Sequence, residues 1–339
     1  MITLYIEAHK IEEFALFDKE MPHWDKVIKS GINLCINISD NELDEKLKDE
    51  LDPLSIAYKN SGTMSLPMAL GNYIDGVKED LTQTIDKPNA IFILDVEESS
   101  ASEIQKKLGM AVFSCNNLPD NLFSKNFYKE YRKNEIVKNG WNGVIQFDKQ
   151  LSNSLVITDN FFFKNEDRGE NRGIKNLIPF LDAFLPDHLE IEYHITIVSP
   201  NSKQMSDLWW VKEYGKLVTS AKLLRDYPIN LELVLSKSVF HKRWLVSNYV
   251  RSETDVGFDF FLASNLEKVS ESNYFRYIEI FRDLDNKGTK NFESNMTVFE
   301  DLSEQCTIIS NDVKSGKNTR NYKLFGCNAD KTIKNRLLN

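Results

Sequence analysis

The stretch FHKRWLVSNYV, residues 240–250, decides how this chain is read. Its hydrophobic and β-branched content predicts a strand, on which residues two apart share a face. His241 and Arg243 would then project together, an imidazole beside a guanidinium, where both can grip one phosphate. Asn248 follows His241 by seven positions, and DVGFDFF (255–261) reads as the next strand.

Working outward, LVIT (155–158) predicts a strand that ends at Asp159, and a charged, glycine-containing loop, KNEDRGENRG (164–173), follows it. Ile174 to Leu185 has helical apolar spacing. EYHITIVSP (192–200) is a strand stopped by Pro200, Met205 to Arg225 a long helix, and NLELVLSK (230–237) a third strand. Together with 240–250 and 255–261 the order is β-α-β-α-β-β-β, which implies a mixed sheet with helices on its faces.

With those elements in place, residues 155–261 resemble one half of a phospholipase D superfamily fold. His241, Arg243 and Asn248 stand at the spacing of its H-x-K-x4-D signature, and Gly257-Phe258-Asp259 stands where it carries G-S-x-N. The resemblance implies a phosphodiesterase, most naturally a nuclease, in which His241 attacks phosphorus to form a phosphohistidine and Arg243 neutralises the phosphate oxygens. Asn248 takes the place of the motif Asp, and Asp259 or Asp255 would orient the imidazole. A single motif supplies one histidine, so the resemblance further implies a twofold homodimer that brings two copies of His241 together. It implies no cofactor and no metal ion.

Three departures define the alternative reading. Arg for Lys keeps the charge but moves it, which preserves binding more readily than rate. Asn for Asp removes a carboxylate, and Phe258 removes the expected hydroxyl. H-x-R variants also resemble the phospholipase-D-like C-terminal domains of MIT-domain proteins, which bind phosphoinositides or membranes without hydrolysis. The alternative is therefore a non-catalytic phosphate- or nucleic-acid-binding scaffold.

Residues 1–150 form a separate acidic α/β domain in this reading. LYIEA (4–8), INLCINIS (32–39), AIFILDV (90–96) and MAVFSC (110–115) predict strands. Glu42 to Lys59, Ser65 to Leu81 and Ala101 to Leu108 predict helices, the last closed by Gly109. NGWNG (139–143) marks a turn. Asp40 and Asp95, each following a strand, resemble in their placement the metal-binding acidic cluster of PIN-like ribonucleases; as the commoner reading, carboxylates at strand ends are turn residues.

Charge supports the division. Residues 1–150 hold 17 Lys and Arg against 25 Asp and Glu, so most of the net charge of -9 lies there, and nonspecific nucleic-acid affinity is not expected of that half. Residues 286–339 are a polar extension whose stretch from Lys314 to Arg336 carries Lys314, Lys317, Arg320, Lys323, Lys331, Lys334 and Arg336 against only Asp330. Such a tail is a solvated terminus or a phosphate contact. Cys35, Cys115, Cys306 and Cys327 have no metal-ligand spacing and read as packed thiols. His9, His23, His188 and His194 read as structural, and Trp209-Trp210 and Phe161-Phe162-Phe163 as core or interface aromatics.

The sequence thus predicts an α/β protein of two domains, 1–150 and 151–285, with the extension 286–339. No apolar run approaches the length of a membrane span, and the amino terminus lacks the layout of a signal peptide, which makes the cytoplasm the expected compartment. A nucleic acid or other phosphodiester is the expected partner, with protein partners if the chain serves a multi-component DNA-processing or defence system.

Overall fold

A computed structural model describes residues 2–17, 19–21, 24, 27–28, 32–60, 67–119, 128–145, 151–160, 163, 172–201, 205–237, 243–254, 257–258, 274–279 and 291–338. The chain is α/β and divides into two units, one comprising Met1–Lys125 and Ile280–Glu300, the other Asn126–Glu279 and Asp301–Asn339.

In unit 1 the order is β1 (Thr3–Ile6), α1 (Ala8–Leu16), β2 (Asn33–Ile36), α2 (Asp40–Lys48), α3 (Pro53–Asn60), β3 (Met68–Ala69), α4 (Gly71–Glu79), a 3-10 turn (Leu81–Asp86), β4 (Ala90–Leu94), α5 (Glu98–Leu108) and β5 (Ala111–Ser114). The five strands are parallel in the order β3-β2-β1-β4-β5. Strands sandwiched on both faces must be apolar throughout, and all five residues of β4 are buried. Tyr5 of β1 stacks on its register partner Phe92 of β4, with centroids 4.8 Å apart. On another side Trp24 packs between Phe14 and Phe113. The predicted single helix over 42–59 is two, because Pro53 cannot continue α2 and Asp52 caps the restart by accepting the N–H of Leu54. Gly109, at φ 64°, closes α5 as expected.

Unit 2 contains β6 (Tyr128–Arg132), α6 (Lys133–Val144), β7 (Ser154–Thr158), α7 (Arg172–Phe184), β8 (Tyr193–Pro200), α8 (Asp207–Lys222), β9 (Ile229–Ser236), β10 (Arg243–Ser247), β11 (Val250–Thr254), β12 (Tyr274–Glu279), the part of α9 (Asn291–Lys314) that follows Glu300, and β13 (Lys323–Phe325). Its eight strands run β13-β9-β8-β7-β10-β11-β12-β6. The β9-β8-β7 core is parallel and every other pair is antiparallel. Leu155, Ile157, Ile195, Ile197, Leu233 and Leu245 turn one face of this sheet into a core with Trp141, Phe180, Leu181, Trp210 and Leu217 of the helices. Trp210 and Phe163 are therefore core residues, as expected.

Three expectations change here. The boundary lies near residue 125 instead of 150, because β6 and α6 belong to unit 2 through the pairing of β6 with β12. Residues 243–254 are a hairpin: β10 ends at Ser247 and β11 starts at Val250, so the strand after β10 is 250–254, and Gly257-Phe258 lies outside any strand. The segment after α9 is not a solvated tail. β13 extends the sheet beside β9, Asn335 is fully buried, and its Nδ2 donates to the Leu155 carbonyl and to Thr196 Oγ1. Within NGWNG, where a turn is expected, Gly140 takes non-helical angles (φ 65°, ψ 177°) and divides α6 into two helical pieces.

Among the described residues no helix is long and apolar enough to cross a membrane. Cys35, Cys115 and Cys306 are buried and Cys327 is partly buried, all as free thiols.

Candidate functional sites

The parallel core of unit 2 ends in Thr158-Asp159 from β7, Ser199-Pro200 from β8 and Ser236 from β9. Ligands of open α/β sheets gather outside such carboxyl ends, at the place where strand direction or order changes. In this sheet that place is the β7–β10 boundary, where the antiparallel strand enters. Thr158 Oγ1 accepts the N–H of Trp244 at 2.9 Å, and the strand register that sets Leu245 against Ile157, carried two residues further, sets Arg243 opposite Asp159. Arg243 is half-buried at the mouth of the sheet.

Asp159 has no exposed surface. Its N–H donates to the Val198 carbonyl at 3.2 Å, its carbonyl accepts the Ser199 hydroxyl at 3.0 Å, and its Oδ2 accepts the N–H of Phe258 at 2.8 Å. One acidic side chain thus fastens the Gly257-Phe258 turn to the ends of β7 and β8. Gly257 takes φ 153°, which favours glycine, and the Phe258 ring is buried against Phe180 and Phe275. Phe258 is a core residue that presents its backbone, not a side chain, toward Asp159.

Asn248 is at the other end of β10 from Arg243. It is fully buried; its Oδ1 accepts the N–H groups of Asn153 and Ser154 at 3.0 and 3.1 Å, and its Nδ2 donates to Asn153 Oδ1 at 3.1 Å. The expected role for Asn248 beside the reacting groups is corrected: it clamps the start of β7 to the β10–β11 turn, about 16 Å from Arg243 at the rise of a strand. His241, Asp255 and Asp259 lie outside the described residues.

Asp159 was missed because nothing in its local sequence separates it from a turn residue. Also missed was a charged ladder on the antiparallel strands. The Arg251 guanidinium, buried and therefore less readily protonated than usual, lies 4.6 Å from the Trp244 ring centroid. Arg276 bridges Glu253 at 2.8 Å and Glu130 at 2.9 Å. Among the other histidines, His9 and His188 are exposed, and His194 is buried with its Nε2 3.0 Å from Glu192.

Unit 1 has its own change of strand order, between β1 and β4. At the carboxyl ends there stand Glu7 after β1, Asn37 after β2, Asp95 after β4 and Asn116 after β5. Asp40 is not among them; it is exposed in the first turn of α2, and the position after β2 belongs to Asn37. Glu7 is buried. Its Oε1 accepts the N–H of Asp95 at 3.1 Å and its Oε2 accepts Nδ2 of Asn37 at 2.7 Å. Asp75 and Lys78 of α4 complete the group: Lys78 Nζ lies 3.1 Å from Glu7 Oε1 and 2.9 Å from Asp75 Oδ1. Beside them opens a cavity of about 590 Å³ lined by Lys78, Asp95, Ser114, Asn116 and the Glu97-Glu98 turn.

The divalent ion implied by the likeness to PIN-like ribonucleases does not fit this arrangement. Of the two acids that carry that likeness, Asp40 stands apart from Asp95 in the first turn of α2, and among the described residues no group of three or more His, Cys, Asp or Glu is arranged to hold a metal ion. No protein-family model, curated protein or solved structure matches the chain.

Proposed function

We propose that unit 2 recognises and cleaves a phosphodiester, with nucleic acid as the substrate class, at the carboxyl ends of β7 and β8. The observation that supports this reading is the position of β10. The strand that carries Arg243, and that His241 precedes by two residues, enters the sheet at its change of direction, where half-buried Arg243 faces the end of the parallel core. In this reading His241 attacks phosphorus, Arg243 holds the equatorial oxygens through paired N–H groups, and a second His241 across a twofold axis protonates the leaving oxygen and then activates water against the phosphohistidine. The homodimer is part of the proposal.

The fixed Phe258 side chain favours the second reading, a phosphate-binding scaffold, because no hydroxyl is offered from that position. Purified protein separates the two. His241→Ala abolishes hydrolysis of labelled single- and double-stranded oligonucleotides, and EDTA does not. Retained binding with no turnover in the parent chain supports the scaffold, and hydrolysis that survives in His241→Ala overturns the proposal.

A further inference from the structure

We infer that Lys78 is the resident cation of the strand-end site in unit 1, a tethered ammonium in the position where a divalent ion would otherwise bridge Glu7 and Asp75. Three observations carry this. The two carboxylates approach Nζ from different elements, Glu7 from the end of β1 and Asp75 from α4, at 3.1 and 2.9 Å. Glu7 is buried at the centre of the unit's strand ends, where a bare negative charge is costly and a cation is required. Asn37 Nδ2 donates to the other oxygen of Glu7, Oε2, at 2.7 Å and to Asp75 Oδ1 at 3.2 Å, and so ties the two carboxylates together beside the ammonium.

The titration behaviour agrees. Burial works against the charged form of Lys78, but its bonds to Asp75 and Glu7 outweigh that and raise its affinity for the proton. Asp75 is shifted the other way, held ionised first by Lys78 and then by Asn37. The ammonium satisfies the acids with three donors on a flexible stem, so no ion needs to be recruited and Asp95 is left to the neighbouring cavity. In this reading the Glu7-Asp75 pair needs no metal ion while Lys78 is present, and removing the ammonium exposes a latent site for a small hard cation.

Manganese(II) alone is the probe, with electron paramagnetic resonance of free ion as the readout on the full chain. Wild type leaves the ion free up to about ten times the concentration at which Lys78→Met, or Lys78→Gln if the former does not fold, takes up one equivalent. Adding Glu7→Gln to either variant removes that uptake. The ion raises the melting temperature of the lysine variants and not of wild type. One equivalent bound by wild type and lost in Glu7→Gln would overturn the inference, as would folded lysine variants that gain no binding.

Discussion

Asn248→Ala is the substitution that best tests the reassignment of this residue from chemistry to architecture. The wild-type amide satisfies two buried backbone N–H groups, of Asn153 and Ser154, through one oxygen. Each N–H left without an acceptor costs about 1–3 kcal/mol, and the lost bond from Nδ2 to Asn153 adds little, since the Ser154 hydroxyl also donates to that oxygen. The sum is about 4 kcal/mol, or a fall of roughly 8–16 °C in melting temperature for a unit of this size. Guanidinium denaturation followed by tryptophan fluorescence reads it directly, because Trp141, Trp209, Trp210 and Trp244 are all in unit 2 and only Trp24 is in unit 1. Asn248→Asp keeps an acceptor for both N–H groups and, with the Asn153 amide reversed to offer its donors, loses less than the alanine variant. A loss below about 0.5 kcal/mol for Asn248→Ala, the ordinary range of a surface change, would refute the clamp.

Other substitutions probe the remaining features. Asp159→Ala removes the acceptor of the Phe258 N–H and costs about 1–3 kcal/mol, whereas Asp159→Asn keeps an acceptor and costs less than half as much; equal losses in chemical denaturation would contradict the assigned bond. Arg243→Ala lowers oligonucleotide affinity or turnover at least tenfold without changing the denaturation midpoint by more than about 0.5 kcal/mol, and unchanged affinity and turnover would remove Arg243 from the site. Gly326→Ala destabilises unit 2 by more than about 1 kcal/mol, since the backbone there has φ 78° and the added carbon would sit 2.3 Å from the Tyr214 hydroxyl and 2.4 Å from the Leu231 carbonyl; unaltered urea midpoints would disprove the packing. Burial above all depresses the affinity of His194 for a proton, while nearby Glu192 works the other way. The unfolded chain therefore takes up this proton first, and the stability tied to His194 is intact above about pH 6.5 and is lost as pH falls through its lowered folded value. Midpoints measured at pH 7.5 and 5.5 differ less in His194→Gln than in wild type if this holds.

What was legible in advance follows the physics of burial. β4 and β5 announce themselves as short apolar runs covered on both faces, and β8 and β9 by the alternation of apolar residues with His194, Thr196, Asn230 and Glu232. β6 and β12 are hidden for the converse reason: Arg276, Glu130 and Glu253, on the face turned away from the Tyr131-Phe275 core, pair with one another across strands, and the sequence shows only mixed polar residues. The reversal at Asn248-Tyr249 carries no glycine, and flanking Val246 and Val250 let the hairpin pass for one strand. In the sites, Asp95 could be read because it follows AIFIL directly. Glu7 carried the same signal, the first acid after LYI, but Asp75 and Lys78 sit on an amphipathic helix where charges are expected, and only the tertiary fold turns them toward the strand ends.

The anchoring of Asn335 has a consequence in time. Leu155, which accepts its amide, precedes it by 180 residues, and β6 likewise waits for β12. At synthesis rates of about 5–20 residues per second, β7 leaves the ribosome roughly ten to forty seconds before that amide does. Through that interval the apolar strands of unit 2 are without the segment that covers part of their second face, and contacts this distant in sequence form slowly. Shielding of nascent β7 and β8 by a chaperone, and aggregation when it is withheld, would be the cellular mark of a sheet completed by its last strand.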